Sequence, residues 1–531
     1  KHCKTENIVE WEDSLMDVLL TLVPIVAVLV LLIWAKWPAD LSGLAGWILT
    51  IVISLFFFHT SLKVGLTGSL AGVIASFPVS LMVATSIFQI TFLECTGALK
   101  RIVVYVKTIA KQDRAVQVMI INMGIGTLLV AVGATPVSIL PPIMVALGYS
   151  TFVAVALPAL GFDSLCTYAL LGAPLVVYAD MTGTPLETSA LIFSQFMPII
   201  STMIGFGMLW LVGGFKQIRE GFLPCLLAGL SMGLTAMAVA HVGKGIVLTG
   251  VIAGMATIIV MLGYMKILQK PIIDRSCVTP EDIQVEKSMS LLTALSPWLI
   301  LIGTSLFINF YPPLFDYLFK QLAMPVQIIP GGKPIMTRML WNAYTWVIIS
   351  TLVAIPFIKP SREQWREIMS KWYKRAPRPV FSAAIFFAIA YVMTYSGFGP
   401  SAEGWKLVNP DFNMISILAT SSADFFKGLY PVAAGFLGLL GGFVSGSEAS
   451  TIALFTKYHL LTSKLLNVDP LVVTAGTAIA GGLASVISPA KLQNAAATID
   501  ALGTESQVIK VAVVIAAIFT TVAAILTFIW A

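Results

Sequence analysis

The chain has 531 residues, 58% of them hydrophobic and only 11% charged, with a mean hydropathy of +0.91. A soluble globular protein carries roughly 25% charged residues, so a water-soluble fold is excluded for want of polar side chains to cover its surface. The net charge of +6 needs no nucleic-acid partner, because topology accounts for it.

Taken in chain order, Leu15 to Trp34, Leu41 to Phe58, Met289 to Phe310, Met339 to Ile358, Val380 to Tyr395 and Val511 to Trp530 are almost unbroken apolar runs. Each approaches the roughly 20 residues that an α-helix needs to cross the hydrocarbon core. None shows the period-two alternation of a membrane β-barrel. Segments 66–93, 115–147, 151–178, 430–463 and 468–502 are also long and apolar, but Gly and Pro interrupt them. The expected fold is an all-α polytopic membrane protein with roughly 12 to 14 crossings, some of them broken or re-entrant. No signal peptide is recognisable in Lys1 to Asp13.

Lys and Arg concentrate on the cytoplasmic side of a membrane protein. Here they fall into four segments: 98–114 (Lys100, Arg101, Lys107, Lys111, Arg114), 213–221 (Lys216, Arg219), 266–288 (Lys266, Lys270, Arg275, Lys287) and 359–378, the densest. Two crossings separate the second from the third (222–242 and 245–265), and two more separate the third from the fourth. Three crossings precede the first, which places the acidic N-terminus (Glu6, Glu10, Glu12, Asp13) outside. Asp180 to Glu187 lacks Lys and Arg, as an outer loop should. The loop Pro312 to Arg338 is outer by count although it carries Lys320, Lys333 and Arg338. The run 359–378 could equally serve as a lipid-headgroup contact or a docking surface without changing its side.

Two regions resemble each other. Each has an apolar stretch, a break rich in Gly, Ser and Thr, another apolar run, a short polar turn (148–151; 467–470), a further helix and a second break. The breaks are GATPVS (133–138) and GFDSLCTYALLGAP (161–174) in the first region. In the second they are SGSEAST (445–451) and GGLASVISPAKLQNAA (481–496). The basic segments give the two regions opposite orientations. Inverted repeats with broken helices are a signature of secondary transporters. The expected division is an N-terminal repeat over 1–212, connecting helices over 213–358 and a C-terminal repeat over 359–531.

Broken helices leave N–H and C=O groups without intrahelical partners, and in lipid such backbone survives only inside protein or beside a water-filled cavity. Half-helix N-termini carry free N–H groups and partial positive charge, which suit a carboxylate. Hydroxyls line the breaks at Thr135, Ser138, Ser164, Thr167, Ser445, Ser447, Ser450, Thr451, Ser485 and Ser488. Any single one of them is explained equally by close helix packing, but four clusters at matched positions are not. Ionisable groups at membrane depth are functional candidates by default: Glu448, Asp163, Lys491 and, nearer the interface, Glu94. Burial favours the neutral form of a carboxyl group, so Glu448 and Asp163 are candidate proton or cation sites. Lys491 is a candidate counter-ion for an anion. A purely structural pairing of Lys491 with either carboxylate is the alternative.

The four histidines, His2, His59, His241 and His459, do not cluster, and each is expected at an interface. Cys3, Cys95, Cys166, Cys225 and Cys277 show no CxxC spacing, so they read as isolated small apolar residues. No zincin, Walker A or nucleophile-elbow pattern appears. An enzyme is therefore not expected, nor a metal or organic cofactor.

The C-terminal half carries FSAAIFFAIAYVMTYSGF (381–398), FLGLLGGFVSGSEASTIALF (436–455) and ISPAKLQNAAATIDALGTESQVIK (487–510). In order and spacing these resemble the lactate permease family of bacterial transporters. SGSEAST looks like the family's Gly-Ser-Asp-Thr segment, with Glu448 at the acidic position. PLVVYADMTG (174–183) and the KQDRAVQV run before the first break also fit, and the resemblance covers most of the chain, weakest at 215–340. There is one departure. Where the family carries Phe-Leu-Glu-Gly-Ala-Ala-Gly-Phe-Gly-Ala-Pro, this chain reads LLVAVGATPVS (128–138), with an apolar residue near Val130 in place of the glutamate. The resemblance implies proton symport of a 2-hydroxy monocarboxylate such as lactate or glycolate across a bacterial or archaeal plasma membrane.

The combined expectation is a secondary active transporter of a small organic anion. The expected substrate-binding residues are Thr135, Ser138, Ser445, Gly446, Ser447, Ser488, Lys491 and Asn494, with Glu448 and Asp163 coupling protons. A sodium-coupled carrier of a sulfonate or dicarboxylate is the first alternative, because broken-helix carbonyls also suit Na⁺. A non-transporting membrane subunit of a larger complex is the second.

Overall fold

The computed structural model describes residues 2–35, 37–110, 113–402 and 404–531, with the backbone alone at 2–15, 32, 33, 277 and 490. Lys111 of the first basic segment lies outside the described residues. So do the side chains of Glu6, Glu10, Glu12, Asp13, Cys3 and Cys277. Among the described residues the chain is helical apart from two short antiparallel strand pairs, 325–336 and 398–407. Eleven helices are long and apolar enough to cross a bilayer, or twelve when the bent pair Thr151–Gly161 and Cys166–Thr182 is taken as one crossing. The chain is thus an all-α polytopic membrane protein at the lower end of the expected range of crossings. Part of the remaining apolar sequence forms shorter helices such as Leu62–Ala75 and Pro136–Ala146.

Side-chain and backbone bonds sort the loops into two opposite ends. At one end the four basic segments meet. Lys107 pairs with Asp282, Lys270 with Asp113 at 2.6 Å, and Arg101 donates to the Met289 carbonyl at 3.0 Å. Gly221 packs beside Ala115, which brings 213–221 to the same end. At the other end Arg338 pairs with Asp180 at 2.9 Å, and the Gly397 N–H donates to Thr60 at 2.9 Å. There too the Trp405 N–H reaches the Pro330 carbonyl at 2.8 Å, and the Asp469 N–H reaches the Ala531 carbonyl at 3.0 Å. The densest basic segment is folded: Arg362–Arg375 is a helix opened by a Ser361/Gln364 capping box. It lies on the helix Phe77–Cys95. Lys371 and Arg375 hold Glu94 at 3.1 and 2.6 Å, Gln364 donates to the Cys95 carbonyl, and Trp372 donates to the Ala84 carbonyl.

Between the ends stand two helical hairpins and two bent helices. The first hairpin leaves the basic end at Arg114, capped by Asp113, and climbs through a π-helical segment (Met119–Ile125) to Ala131. It turns at Gly133, whose φ of +87° favours glycine, and Pro136–Ala146 returns. The Tyr149 hydroxyl then donates to Gln117 at 3.1 Å and lies 3.5 Å from the Arg114 carbonyl, so both feet stand at the basic end. The second hairpin, Tyr430–Ser445 and Glu448–Leu466, does the same from the opposite end. Gly446 (φ +64°) caps the first arm and Ser447 caps the second by accepting from the Ser450 N–H at 3.3 Å. Near its feet the Tyr430 hydroxyl and His459 Nδ1 are 2.6 Å apart. His459 is therefore not interfacial, as expected from the sequence, but completely buried. The tyrosine partner makes burial of one polar ring nitrogen tolerable.

The bent helices connect the ends. Thr151–Gly161 and Cys166–Thr182 meet at 69°, and Leu170, Leu171 and Gly172 in the second arm are all left-handed (φ 53°, 52°, 75°). Pro470–Leu483 runs into a 3₁₀ turn (Ala484–Ile487) and then into Pro489–Ala497. The first bent helix leads from the basic end to the Asp180 end, and the second leads back, so the two hairpin-and-bend units are inverted relative to each other. The second bent helix is 94% buried over its apolar window, against 44% for Thr504–Trp530. The interrupted backbone is thus enclosed by protein, as hydrocarbon demands, while the last helix faces lipid.

Glycine lets the second hairpin press against the second bent helix. A Cβ at Gly442 would stand 1.9 Å from the Gly481 carbonyl oxygen, and one at Gly438 would stand 2.1 Å from that of Thr477. Neither neighbour is a flexible side chain, so Gly442→Ala is expected to destabilise by about 1–3 kcal/mol through overpacking. This should appear as a lower melting temperature of detergent-purified protein. Gly303→Ala, which meets nothing within 4 Å, should leave melting unchanged. Equal melting temperatures for the two variants would disprove the close approach.

Candidate functional site

All four interruptions lie at the inner level of the fold, where each hairpin tip meets the bent helix of the opposite unit. From the second hairpin, Glu448 opens its helix immediately after the Ser447 cap and is 2% exposed. Its Oε1 accepts from the Thr167 hydroxyl of the first bent helix at 2.6 Å, while Oε2 is buried without a partner. A Cβ at Gly482 would stand 2.7 Å from that oxygen and 3.1 Å from the Cys166 Cβ, so glycine makes the space in which carboxyl and thiol sit together. From the first hairpin, the Ser138 hydroxyl accepts from Asn494 of the second bent helix at 2.9 Å and lies 3.5 Å from the Thr135 hydroxyl.

The two bent helices also meet. Asp163, in the elbow of the first, is 3% exposed, and neither carboxyl oxygen has a hydrogen-bond partner. Lys491, in the second arm of the other, donates to Ser485 at 2.5 Å and stands 3.5 Å over the centre of the Phe162 ring, a cation–π contact. The Lys491 ammonium acts electrostatically on both Asp163 and Glu448. It does not close into an ion pair with either, since its hydrogen-bond partner is Ser485.

The ten expected residues therefore take different places. Asp163, Glu448 and Lys491 converge, with Ser488 buried beside Gly446. Thr135, Ser138 and Asn494 form a second group, joined to the first through the helix that carries both Lys491 and Asn494, and Thr135 and Asn494 are exposed. Ser445 and Ser447 are occupied within their own tip: Ser445 donates to the Gly441 carbonyl at 2.7 Å and accepts from the Ser447 N–H at 3.2 Å. Their hydroxyls build the turn. Three contributors were not expected, namely Cys166, Phe162 and Gly482. Cys166 read as an isolated apolar residue, although it stands in the same GFDSLCT break as Asp163. Near Val130, where the resemblance places a glutamate, the structure has a buried apolar side chain, so the first hairpin brings no carboxyl to its tip.

Chemically, the assembly is the half-buried ammonium of Lys491 with two buried carboxyl groups, bordered by hydroxyls, an amide and helix ends. Such a set binds and neutralises charge. The family model for L-lactate permease matches residues 17–531. The chain is 25% identical to an L-lactate permease of Streptococcus iniae over 86% of this chain and 93% of that one. It is 23% identical to a glycolate permease of Escherichia coli, covering 96% of this chain and 95% of the relative. An L-lactate permease of Bacillus subtilis is 21% identical, with 94% and 93% covered. With its many membrane-crossing helices, this chain belongs to the L-lactate permease family of membrane transport proteins.

Proposed function

We propose that the chain is a secondary active transporter that carries a 2-hydroxy monocarboxylate such as lactate or glycolate across a bacterial or archaeal plasma membrane in symport with protons. The observation that carries this reading is the convergence of Lys491, Asp163 and Glu448 where two inverted units engage each other. The names of the relatives point to the same substrate class.

In this reading Lys491 is the counter-ion of the substrate carboxylate. The helices that begin at Pro136, Glu448 and Pro489 start at the breaks, and partial positive charge at their N-terminal ends favours an anion. Ser138, Ser488 and Asn494 are placed to hydrogen-bond the 2-hydroxyl or the second carboxylate oxygen. Asp163 or Glu448 takes the proton. The basic end is cytoplasmic by the distribution of Lys and Arg, and the N-terminus is outside. Alternating access arises when one unit moves against the other, breaking the cross-contacts between hairpin tips and bent helices on one side at a time.

Purified protein in liposomes should accumulate labelled L-lactate or glycolate when the outside is acidic. Accumulation should collapse with a protonophore and persist without sodium. Uptake that requires sodium and ignores the pH gradient would replace proton coupling with sodium coupling, and absence of uptake for both anions would remove the transport reading.

Lys491→Ala should lower uptake at least about tenfold, as expected for losing a charged hydrogen bond of roughly 1.5–3 kcal/mol. The variant should still insert and run monodisperse in detergent, and wild-type uptake by it would take Lys491 out of the site. Thr167→Val removes the donor to Glu448 and should cost about 1–3 kcal/mol of unfolding stability by leaving a buried acceptor unpaired. Thr167→Ser, which keeps the hydroxyl, should recover most of it. Identical stability in the two variants would refute the contact.

A further inference from the structure

The pairing state of the buried charges goes beyond the reading above, and rests on it. Asp163 is enclosed on every side. The second bent helix presents Ser485 and Lys491, the second hairpin presents Glu448, and its own elbow presents Cys166. The first hairpin packs Asn122, a neutral residue, against Gly161. Lys491 is the only cation in this set. Lys491 is half-buried, but both carboxyl groups are buried, and uncompensated charge is costly there, so states whose charges cancel are favoured.

Counting them fixes the stoichiometry. Lys491 carries +1, and both carboxyls ionised would leave −1 before any substrate arrives. The neutral empty state therefore has one carboxylate and one carboxylic acid. An entering monocarboxylate brings −1, and the neutral loaded state has the ammonium, the anion and two carboxylic acids. The two states differ by one proton.

The surroundings separate the two acids. Glu448 accepts from the Thr167 hydroxyl at 2.6 Å. Its second oxygen faces Gly482 and Cys166. Neither Asp163 oxygen makes a fully formed hydrogen bond, but the Ser485 hydroxyl and the Val486 N–H stand beside the carboxyl together with the Lys491 ammonium. Ser485 accepts from the ammonium, which leaves its own hydrogen free to turn toward Asp163.

We propose that Asp163 and the transported anion are alternative partners of the Lys491 ammonium. Asp163 takes up one proton from solvent for each anion bound, while Glu448 stays protonated through the cycle. On loading, an O–H bond forms on the Asp163 carboxyl, the ammonium keeps its three hydrogens, and the anion replaces the carboxylate as its counter-charge. On release the proton leaves with the anion. Transport is therefore electroneutral.

The test measures proton uptake by the full-length protein in detergent, weakly buffered with a pH-indicator dye, as L-lactate or glycolate is added and binding is followed by calorimetry. Wild type should take up one proton per anion bound, and its apparent affinity should weaken about tenfold per pH unit once Asp163 is ionised in the empty protein. Asp163→Asn should bind the anion with no proton uptake and no pH dependence. In liposomes it should exchange labelled for unlabelled anion without accumulating it on a pH gradient. Glu448→Gln, whatever its affinity, should take up one proton for each anion it binds. Unchanged proton uptake in Asp163→Asn, or its loss in Glu448→Gln, overturns the assignment. Should Asp163→Asn fail to fold, wild type alone decides, because zero or two protons per anion, or uptake that carries current across a potassium–valinomycin potential, overturns it equally. No binding of either anion by wild type is a different failure, that of the transport reading itself.

Discussion

The architecture depends on one constraint: a helix interrupted inside a membrane must place its bare N–H and C=O groups against protein or water. Among the described residues, four such interruptions come together in this chain. Each hairpin tip is held by the bent helix of the other unit, Ser138 with Asn494 and Glu448 with Thr167. These are side-chain bonds, and the backbone of the second tip is satisfied within the tip, where the Ser447 N–H donates to Ser445 and the Ser450 N–H to Ser447. The glycine contacts of Gly438 and Gly442 with the carbonyls of Thr477 and Gly481 press the second hairpin against the bent helix of its own unit.

Much of this was legible in the sequence. Gly, Ser, Thr and Pro mark the breaks because they permit left-handed turns and cap new helices, and Gly133, Gly446 and the Ser447 cap sit where SGSEAST and GATPVS predict a stop and a restart. The basic segments gather at one end, as their spacing implied. The path of the chain through the breaks was less legible. Composition does not say whether a second arm continues across the membrane or folds back, and only contacts such as Tyr149 with Gln117 and Tyr430 with His459 decide it. The left-handed turn at Leu170–Gly172 was also hidden, because two leucines are poor markers of a conformation imposed by packing. The helix Arg362–Arg375 was hidden in a run dense in Lys and Arg, although Ser361 and Gln364 form a capping box at its start.

Cys166 shows why pattern reading failed within the site. A single cysteine between Leu165 and Thr167 carries no spacing signal. Its significance arises from Gly482, on a helix more than 300 positions later, which lacks a side chain where thiol and carboxyl meet. Phe162 is similar: its ring matters because Lys491 lies over it at 3.5 Å. Both relations join the two units, so no inspection of either unit alone would find them.

The departure near Val130 gives the two hairpins different tasks. Its apolar side chain is buried, and the first tip offers only the neutral hydroxyls of Thr135 and Ser138. The second tip carries Glu448. Among the described residues, three charged side chains meet here, Glu448 from the second hairpin and Asp163 and Lys491 from the bent helices, with the Cys166 thiol beside Glu448. Because buried charges of one sign oppose each other strongly in a low-dielectric interior, a third carboxyl on the facing tip would demand another proton or another cation to remain neutral. An apolar residue there makes no such demand, and the first tip presents hydrogen-bonding groups where the second presents a carboxyl.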